Sequence, residues 1–353
     1  MNLIIFGPPG AGKGTQAKYL VKKLNSFQVS TGDMLRDEIN NDTEIGKKII
    51  NIMNEGKFVD DEIVNKLLEK TIFDSKKMNK LIFILLIFTL YPQNSNWQSI
   101  HDEREYSISG VSKFKEGFLV VHDNKKRGQA RVSYIDKELK ITNLIWPEEK
   151  LPIDLEAVIQ IPQIINRFIL MESDGKCFEI TIDPKNLRIE VIRTFTLPSI
   201  KPKMNLEGLT IFPSGQGLLF IYGDRGSNKR ASTLFTSFFN KKDKTFFDTN
   251  QFIFDLPEPK KHKRNIADLA LDNNGNLWTV ATSDPGDNGP FITATYELGK
   301  INHAGIFKPN HPSLIQPIHK FNGQKVEALM FYNEFLVLMT DNENFGATIR
   351  FIK

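Results

Sequence analysis

Two sets of residues in this chain have the types and spacing to do chemistry. The first is Gly7-Pro8-Pro9-Gly10-Ala11-Gly12-Lys13-Gly14-Thr15, directly after the apolar run Leu3-Ile4-Ile5-Phe6. Glycines at this density let backbone N–H groups turn inward and approach phosphate oxygens closely. Lys13 supplies a full charge for the outer phosphates and Thr15 a hydroxyl, and a helix starting near Lys13 adds partial positive charge at the same point. A nearby stretch, Ser30-Thr31-Gly32-Asp33-Met34-Leu35-Arg36, carries an arginine whose planar fork suits a phosphate. The second set is Ser109, Glu156, Glu207, Asp268 and Glu327. Carboxylates that converge repel one another unless a cation or protons compensate. Brought to one axis, these residues predict a site for a hard, oxygen-liganded cation, calcium above all. The plainer alternative is that they satisfy backbone groups or stand apart in a wide channel.

The elements that must position these residues follow from the hydrophobic pattern. Leu3–Phe6 reads as a short buried strand, and the glycine loop delivers the chain into a helix from about Lys13 to Leu24. Asp60 or Asp61 can cap a further helix running to about Phe73, with Ile63, Leu67, Leu68 and Ile72 largely on one face. Beyond residue 98 the chain repeats itself five times. The repeats open at Ile108-Ser109-Gly110-Val111, Leu155-Glu156-Ala157-Val158, Leu206-Glu207-Gly208-Leu209, Ala267-Asp268-Leu269-Ala270 and Val326-Glu327-Ala328-Leu329. Each opening is followed by an apolar strand and then a loop aspartate (Asp123, Asp174, Asp224, Asp284, Asp341). Short strands repeating every 47–61 residues without helices predict a β-propeller of five blades, with six as the alternative. The acidic set opens the first strand of each unit, the position that lines a propeller's channel.

The N-terminal motifs resemble those of adenylate kinases. The resemblance covers residues 1–77 and rests on Gly7 to Gln16, Ser30 to Arg36, and Gly56-Lys57-Phe58-Val59 followed by Asp60-Asp61-Glu62. Gly14 between Lys13 and Thr15 is the variant seen in nucleoside-monophosphate kinases. The resemblance implies that Gly10, Ala11, Gly12, Lys13, Gly14 and Thr15 hold ATP with magnesium, Lys13 being the catalytic group. It also implies that Thr31 lies on the adenine side of AMP, that Arg36 meets the AMP phosphate, and that Lys57 and Val59 border adenine and ribose. The family continues with Asp-Gly-Phe-Pro-Arg after its third strand. Here Phe83-Ile84-Leu85 runs on into Leu86-Ile87-Phe88-Thr89-Leu90, with no charge, and no lid arginines follow. Because phosphoryl transfer is mostly positioning and charge stabilisation, with one arginine worth about 10³–10⁵ in rate, the expected outcome is nucleotide binding with AMP phosphorylation lost or weak. The C-terminal repeats resemble calcium-dependent five-bladed propellers such as soluble apyrases, and more loosely phytase-type esterase propellers.

The fold expected is therefore an α/β phosphate-loop kinase fragment (1–77), an apolar junction (78–97) and an all-β propeller (98–353). The junction reads Met78-Asn79-Lys80, then an apolar run from Leu81 to Leu90, then Gln93-Asn94-Ser95-Asn96. That is the pattern of a secretory signal peptide, too short for a stable membrane span. Within this chain, a buried strand completing the kinase sheet or a core helix is the competing fate. The net charge of +4 over 353 residues does not argue for nucleic acid. Lys260-Lys261-His262-Lys263-Arg264 reads as a solvated loop, with a localisation patch as the alternative. The single Cys177 lies in an alternating strand and reads as a buried structural thiol. The expected partners are ATP and AMP, and the expected state is a monomer. The chain as written suits the cytoplasm, whereas a start at Met78 would export the propeller, and this conflict points to a fusion or an assembly join. Two functions stay open: nucleotide binding by the first part, or a propeller acting as a metal-dependent phosphoester hydrolase or a non-catalytic binding module.

Overall fold

The computed structural model describes residues 3–4, 23, 27–30, 34, 38–39, 41, 43–47, 49, 67, 81–84 and 97–353. The chain forms two compact units, Met1–Asn94 and Ser95–Lys353. In the first, β1 (Leu3–Ile4), β2 (Phe27–Ser30) and β3 (Leu81–Ile84) make a parallel sheet in the order β1-β3-β2. Phe83 of β3 stands opposite Ile4 on one side and Val29 on the other. The apolar junction thus supplies the middle strand of this sheet, and the first unit reaches past residue 77 to include it. Parallel neighbours require crossover connections, and helical residues lie in both crossovers, at Lys23 and at 44–47. Thr43 caps the second of these, its Oγ1 accepting from the Gly46 N–H at 2.9 Å.

The second unit is a five-bladed propeller. After β4 (Gln98–His101), blade one comprises β5 (Gly110–Phe114), β6 (Gly117–Val121), β7 (Val132–Ile135) and β8 (Ile141–Leu144). Blade two is β9 (Leu155–Gln160), β10 (Arg167–Glu172), β11 (Lys176–Ile182) and β12 (Ile189–Thr196). Blade three is β13 (Leu206–Ser214), β14 (Gly217–Asp224), β15 (Ser232–Asn240) and β16 (Thr245–Phe254). Blade four is β17 (Lys263–Leu271), β18 (Asn276–Ser283) and β19 (Ile292–Ile301), whose outer edge is shared by the short β20 (Phe307–Pro309) and β21 (His319–Asn322). Blade five is β22 (Val326–Tyr332), β23 (Phe335–Thr340) and β24 (Ala347–Ile352), with β4 as its outermost strand. The innermost strands touch in a closed ring, β5-β9-β13-β17-β22 and back to β5, which leaves no place for a sixth blade.

The packing explains why the second strands are apolar almost throughout. A blade is covered on both faces, so alternate residues of one strand feed two different cores. In β10, Phe168 and Leu170 face blade one while Ile169 and Met171 face blade three. In β14, Leu219 and Ile221 face blade four while Leu218, Phe220 and Tyr222 face blade two. One hydrophobic cluster fills each of the five blade-to-blade interfaces. Cys177 is fully buried in one of them, and burial pushes its thiol well above the usual range, as expected of a structural cysteine. Near the axis the inner strands approach too closely for large side chains. A Cβ on Gly110 would meet Ala157 Cα at 2.8 Å, and four of the five repeats carry glycine or alanine at this position, Leu269 being the exception.

Candidate functional site

The residues of the phosphate loop and AMP side (Gly10, Ala11, Gly12, Lys13, Gly14, Thr15, Thr31, Arg36, Lys57 and Val59) lie outside the described residues. What is described is the frame. β1 enters the loop at its C-terminal end, and β3 runs parallel beside it, ending at Ile84 on the same edge. In open α/β sheets ligands bind at the carboxyl ends of the strands.

In the propeller, three of the four acidic residues that open the repeats share one backbone device. Between β9 and β10 the pairing steps from Ala157↔Met171 to Leu155↔Glu172, leaving Glu156 unmatched. The same step leaves Glu207 unmatched between β13 and β14, and Glu327 between β22 and β23. Such a bulge re-aims the side chain it carries, and these three carboxyls are buried and within electrostatic reach of one another. Blade four departs from this. Its irregularity falls between Arg264 and Asp268, so Asp268 pairs regularly with Val280. The Asp268 carboxylate accepts from the Leu269 N–H at 2.7 Å and from the Leu329 N–H of the next blade at 2.8 Å, tying two inner strands together. Burial pushes its pKa well up despite those two donors. Ser109 precedes β5, and its buried Oγ has no hydrogen-bond partner among the described residues.

The charge at this end of the channel is balanced by the chain itself. Arg264 donates to Glu207 at 3.2 Å and to Glu327 at 2.9 Å, and it also binds Asp284. Arg225 reaches Glu207 at 2.8 Å. Lys325, almost wholly buried, lies 3.2 Å from Glu327 and 2.8 Å from Asp341, and it also binds Glu343, which Arg104 meets at 2.7 Å. Six carboxyls (Glu207, Asp284, Asp287, Glu327, Asp341, Glu343) thus face four cations (Arg104, Arg225, Arg264, Lys325). Burial disfavours the charge on Arg264 and Lys325, yet the surrounding carboxylates outweigh it and raise both. Burial pushes Glu327 up against the pull of Lys325 and Arg264. Asp341, though buried, is held well below the ordinary range by Lys325.

This network bears on two expectations. Lys260, Lys261 and His262 are exposed, but Lys263 binds Asp255 and Arg264 turns into the channel, 17% exposed, so the basic run is only partly a solvated loop. Calcium fits the donor set poorly. Among the described residues no group of three or more His, Cys, Asp or Glu side chains is placed to hold a metal ion. The guanidinium of Arg264 sits between Glu207 and Glu327, and the Asp268 oxygens are taken by backbone N–H groups. The loop aspartates also divide. Asp224 is fully buried against Arg230, whereas Asp174 is exposed in a turn and accepts from the Lys176 N–H at 2.9 Å. From the sequence, Asp224-Arg225-Gly226-Ser227 reads as a turn that could also aim charge into the channel mouth and Arg264 as part of a solvated run, while no motif singles out Lys325. Their signal is position, for Lys325 stands two residues before Glu327 and Arg225 directly follows Asp224.

Blades one and two lack this compensation. Glu156 is 8% exposed and has no hydrogen bond or ion pair among the described residues. Burial, then Glu207 and Asp154, raise it well above the ordinary range. Asp123, likewise unpaired, is pushed up to about 6 by burial and by Asp341. Lys125 at this mouth is already held by Asp154 at 2.8 Å.

The family model for adenylate kinase matches residues 5–138. The N-terminal part of the chain is similar to adenylate kinases. The adenylate kinase of Pelagibacter ubique is 54% identical over 83 residues, which are 24% of this chain and 39% of the relative. That of Mycoplasma mycoides is 51% identical over 83 residues, 24% of this chain and 38% of the relative. That of a Chelativorans species is 56% identical over 72 residues, 20% and 37% respectively. The chain therefore spans about two fifths of the length of the curated relatives it matches. The family match runs on to residue 138, but from Gln98 onward those residues form antiparallel propeller strands. The likeness to adenylate kinase in fold belongs to the parallel sheet of the first unit.

Proposed function

We propose that the first unit binds the phosphates of ATP through Gly7 to Thr15, with Mg²⁺, and AMP through Thr31, Arg36 and the Lys57–Val59 region, while transferring phosphoryl groups weakly or not at all. The observation that carries the binding half is the identity of 54% to an adenylate kinase, together with a parallel sheet in which β3 lies beside β1. The loss of transfer rests on chemistry. The sequence leaving β3 at Ile84 carries no acid for magnesium and no arginine for the phosphoryl group as far as Leu90. The test is thermal protection of the full chain by ATP, with Lys13→Ala abolishing it. Formation of ADP from ATP and AMP at ordinary kinase rates would refute the second half.

A second reading concerns the propeller, and Arg264 and Lys325 favour it. With these cations already among the channel carboxylates, the propeller acts as a binding module rather than as a calcium-dependent phosphoester hydrolase. A propeller transition that melts at the same temperature in calcium and in chelator supports this, and chelator-sensitive melting or hydrolysis opposes it.

A further inference from the structure

We propose that the propeller channel holds the primary ammonium group of a small organic ligand, between Ser109 of blade one, Glu156 of blade two and one oxygen of Glu207 in blade three. This rests on the reading of the propeller as a binding module and names the chemistry such a module takes. The first observation is a shared backbone place. The Ser109 N–H donates to the Val121 carbonyl at 3.1 Å, and Gly110 pairs with the same Val121. Two residues thus face one, so Ser109 stands in blade one where the bulges at Glu156, Glu207 and Glu327 carry carboxyls. The ring order β22-β5-β9-β13 sets these four side by side around the axis.

The second observation is which of their oxygens lack a donor. Glu327 is engaged by Lys325 and Arg264. Glu207 offers Oε1 to both Arg225 and Arg264, while its buried Oε2 has no partner among the described residues. Neither the Ser109 Oγ, on a residue 1% exposed, nor the Glu156 carboxyl has one there either. Glu156 lies within electrostatic reach of Glu207, and of Asp123, which is half-buried at the same end of the channel. Acceptors on three successive blades thus converge without a donor, and an unpaired acid in a desolvated place is costly. A primary ammonium brings three N–H donors and a full charge. Blade five shows the same pairing made by the chain itself, with the Lys325 Nζ 3.2 Å from Glu327 and 2.8 Å from Asp341. Lys325 stands two residues before Glu327, but two residues before Glu156 stands Asp154, which already holds Lys125. A guanidinium favours the two oxygens of one carboxylate, whereas three acceptors on separate strands suit a tetrahedral head. A metal ion fits less well, since among the described residues no group of three His, Cys, Asp or Glu side chains is placed to hold one.

The test uses the full chain with n-butylammonium as probe, and tetramethylammonium, which has the charge but no N–H, at the same ionic strength. At about ten times its dissociation constant n-butylammonium should raise the propeller transition by about 3–6 °C. Tetramethylammonium should leave it in place. In calorimetric titration Glu156→Gln should weaken n-butylammonium binding about tenfold or more, and Ser109→Ala about fivefold. Neither substitution should lower the melting temperature of the chain without the probe, because each removes a group that has no partner to lose. Equal responses to the two ions, or unchanged binding in Glu156→Gln, overturn the proposal. No shift with n-butylammonium in a propeller indifferent to chelator overturns it too, and leaves the binding-module reading standing. Melting that is sensitive to chelator overturns that reading instead.

Discussion

Replacing Arg264 by leucine is the sharpest perturbation of the channel. The side chain is 17% exposed and is shared by Glu207, Glu327 and Asp284, of which the first two are buried. Leucine has no donor, so Glu327 keeps only Lys325 and Glu207 only Arg225. Removing one partner of a buried ion pair costs about 3–5 kcal/mol, because the desolvated charge left behind is uncompensated. For a domain of this size 1 kcal/mol moves Tm by about 2–4 °C, so the propeller transition should fall by about 6–20 °C in a calorimetric melt. The sign of the pH dependence follows. Without Arg264 the folded-state pKa of Glu327, already raised by burial, rises further, so the deficit is small in acid and grows as pH climbs through it. Millimolar calcium should restore part of the loss in the variant, whose carboxylates then lack their cation, and should leave the unaltered chain unmoved. A fall of less than about 1 kcal/mol would refute the account of Arg264 as the resident cation. So would an unaltered propeller that loses stability in chelator.

Three further outcomes are expected. Asp123, pushed up from 3.8 to about 6, favours the folded state fully below 3.8 and loses that contribution as pH rises through about 6. Asp123→Asn should therefore melt higher than the parent near pH 8, by at most about 3 kcal/mol, with the difference vanishing in acid. Asp268→Ala leaves the Leu269 and Leu329 N–H groups without their acceptor and should cost about 2–6 kcal/mol, at about 1–3 for each orphaned donor, measured by urea unfolding. In the first unit, Lys13→Ala should remove ATP protection without moving the propeller transition, read as two separate melts of one chain.

Much of the architecture was legible in the chain before any coordinates. Strand alternation and the five openings from Ser109 to Glu327 marked the blades, because a strand buried on both faces must be apolar along its length. The glycine loop after Leu3-Ile4 marked the nucleotide-binding ancestry, because a backbone that wraps phosphate tolerates few side chains there. The fifth blade was only three-quarters legible. Its outer strand, β4, comes from the other end of the propeller sequence, and no local pattern announces a pairing between Gln98 and Ile349.

That acids crowd the channel could be read from the repeats, whereas what balances them is set by the packed fold. Arg264 sits at the end of a basic run that reads as surface, and Lys325 precedes a strand with no mark of burial. Both cations are drawn inward because the bulges at Glu207 and Glu327 turn carboxylates toward the axis, where desolvation makes an unpaired charge costly. Asp268 lies in the matching repeat but misses the bulge, and its register sends it to the backbone instead. A one-residue difference in pairing is invisible in composition, yet in a strand it decides which way a side chain points.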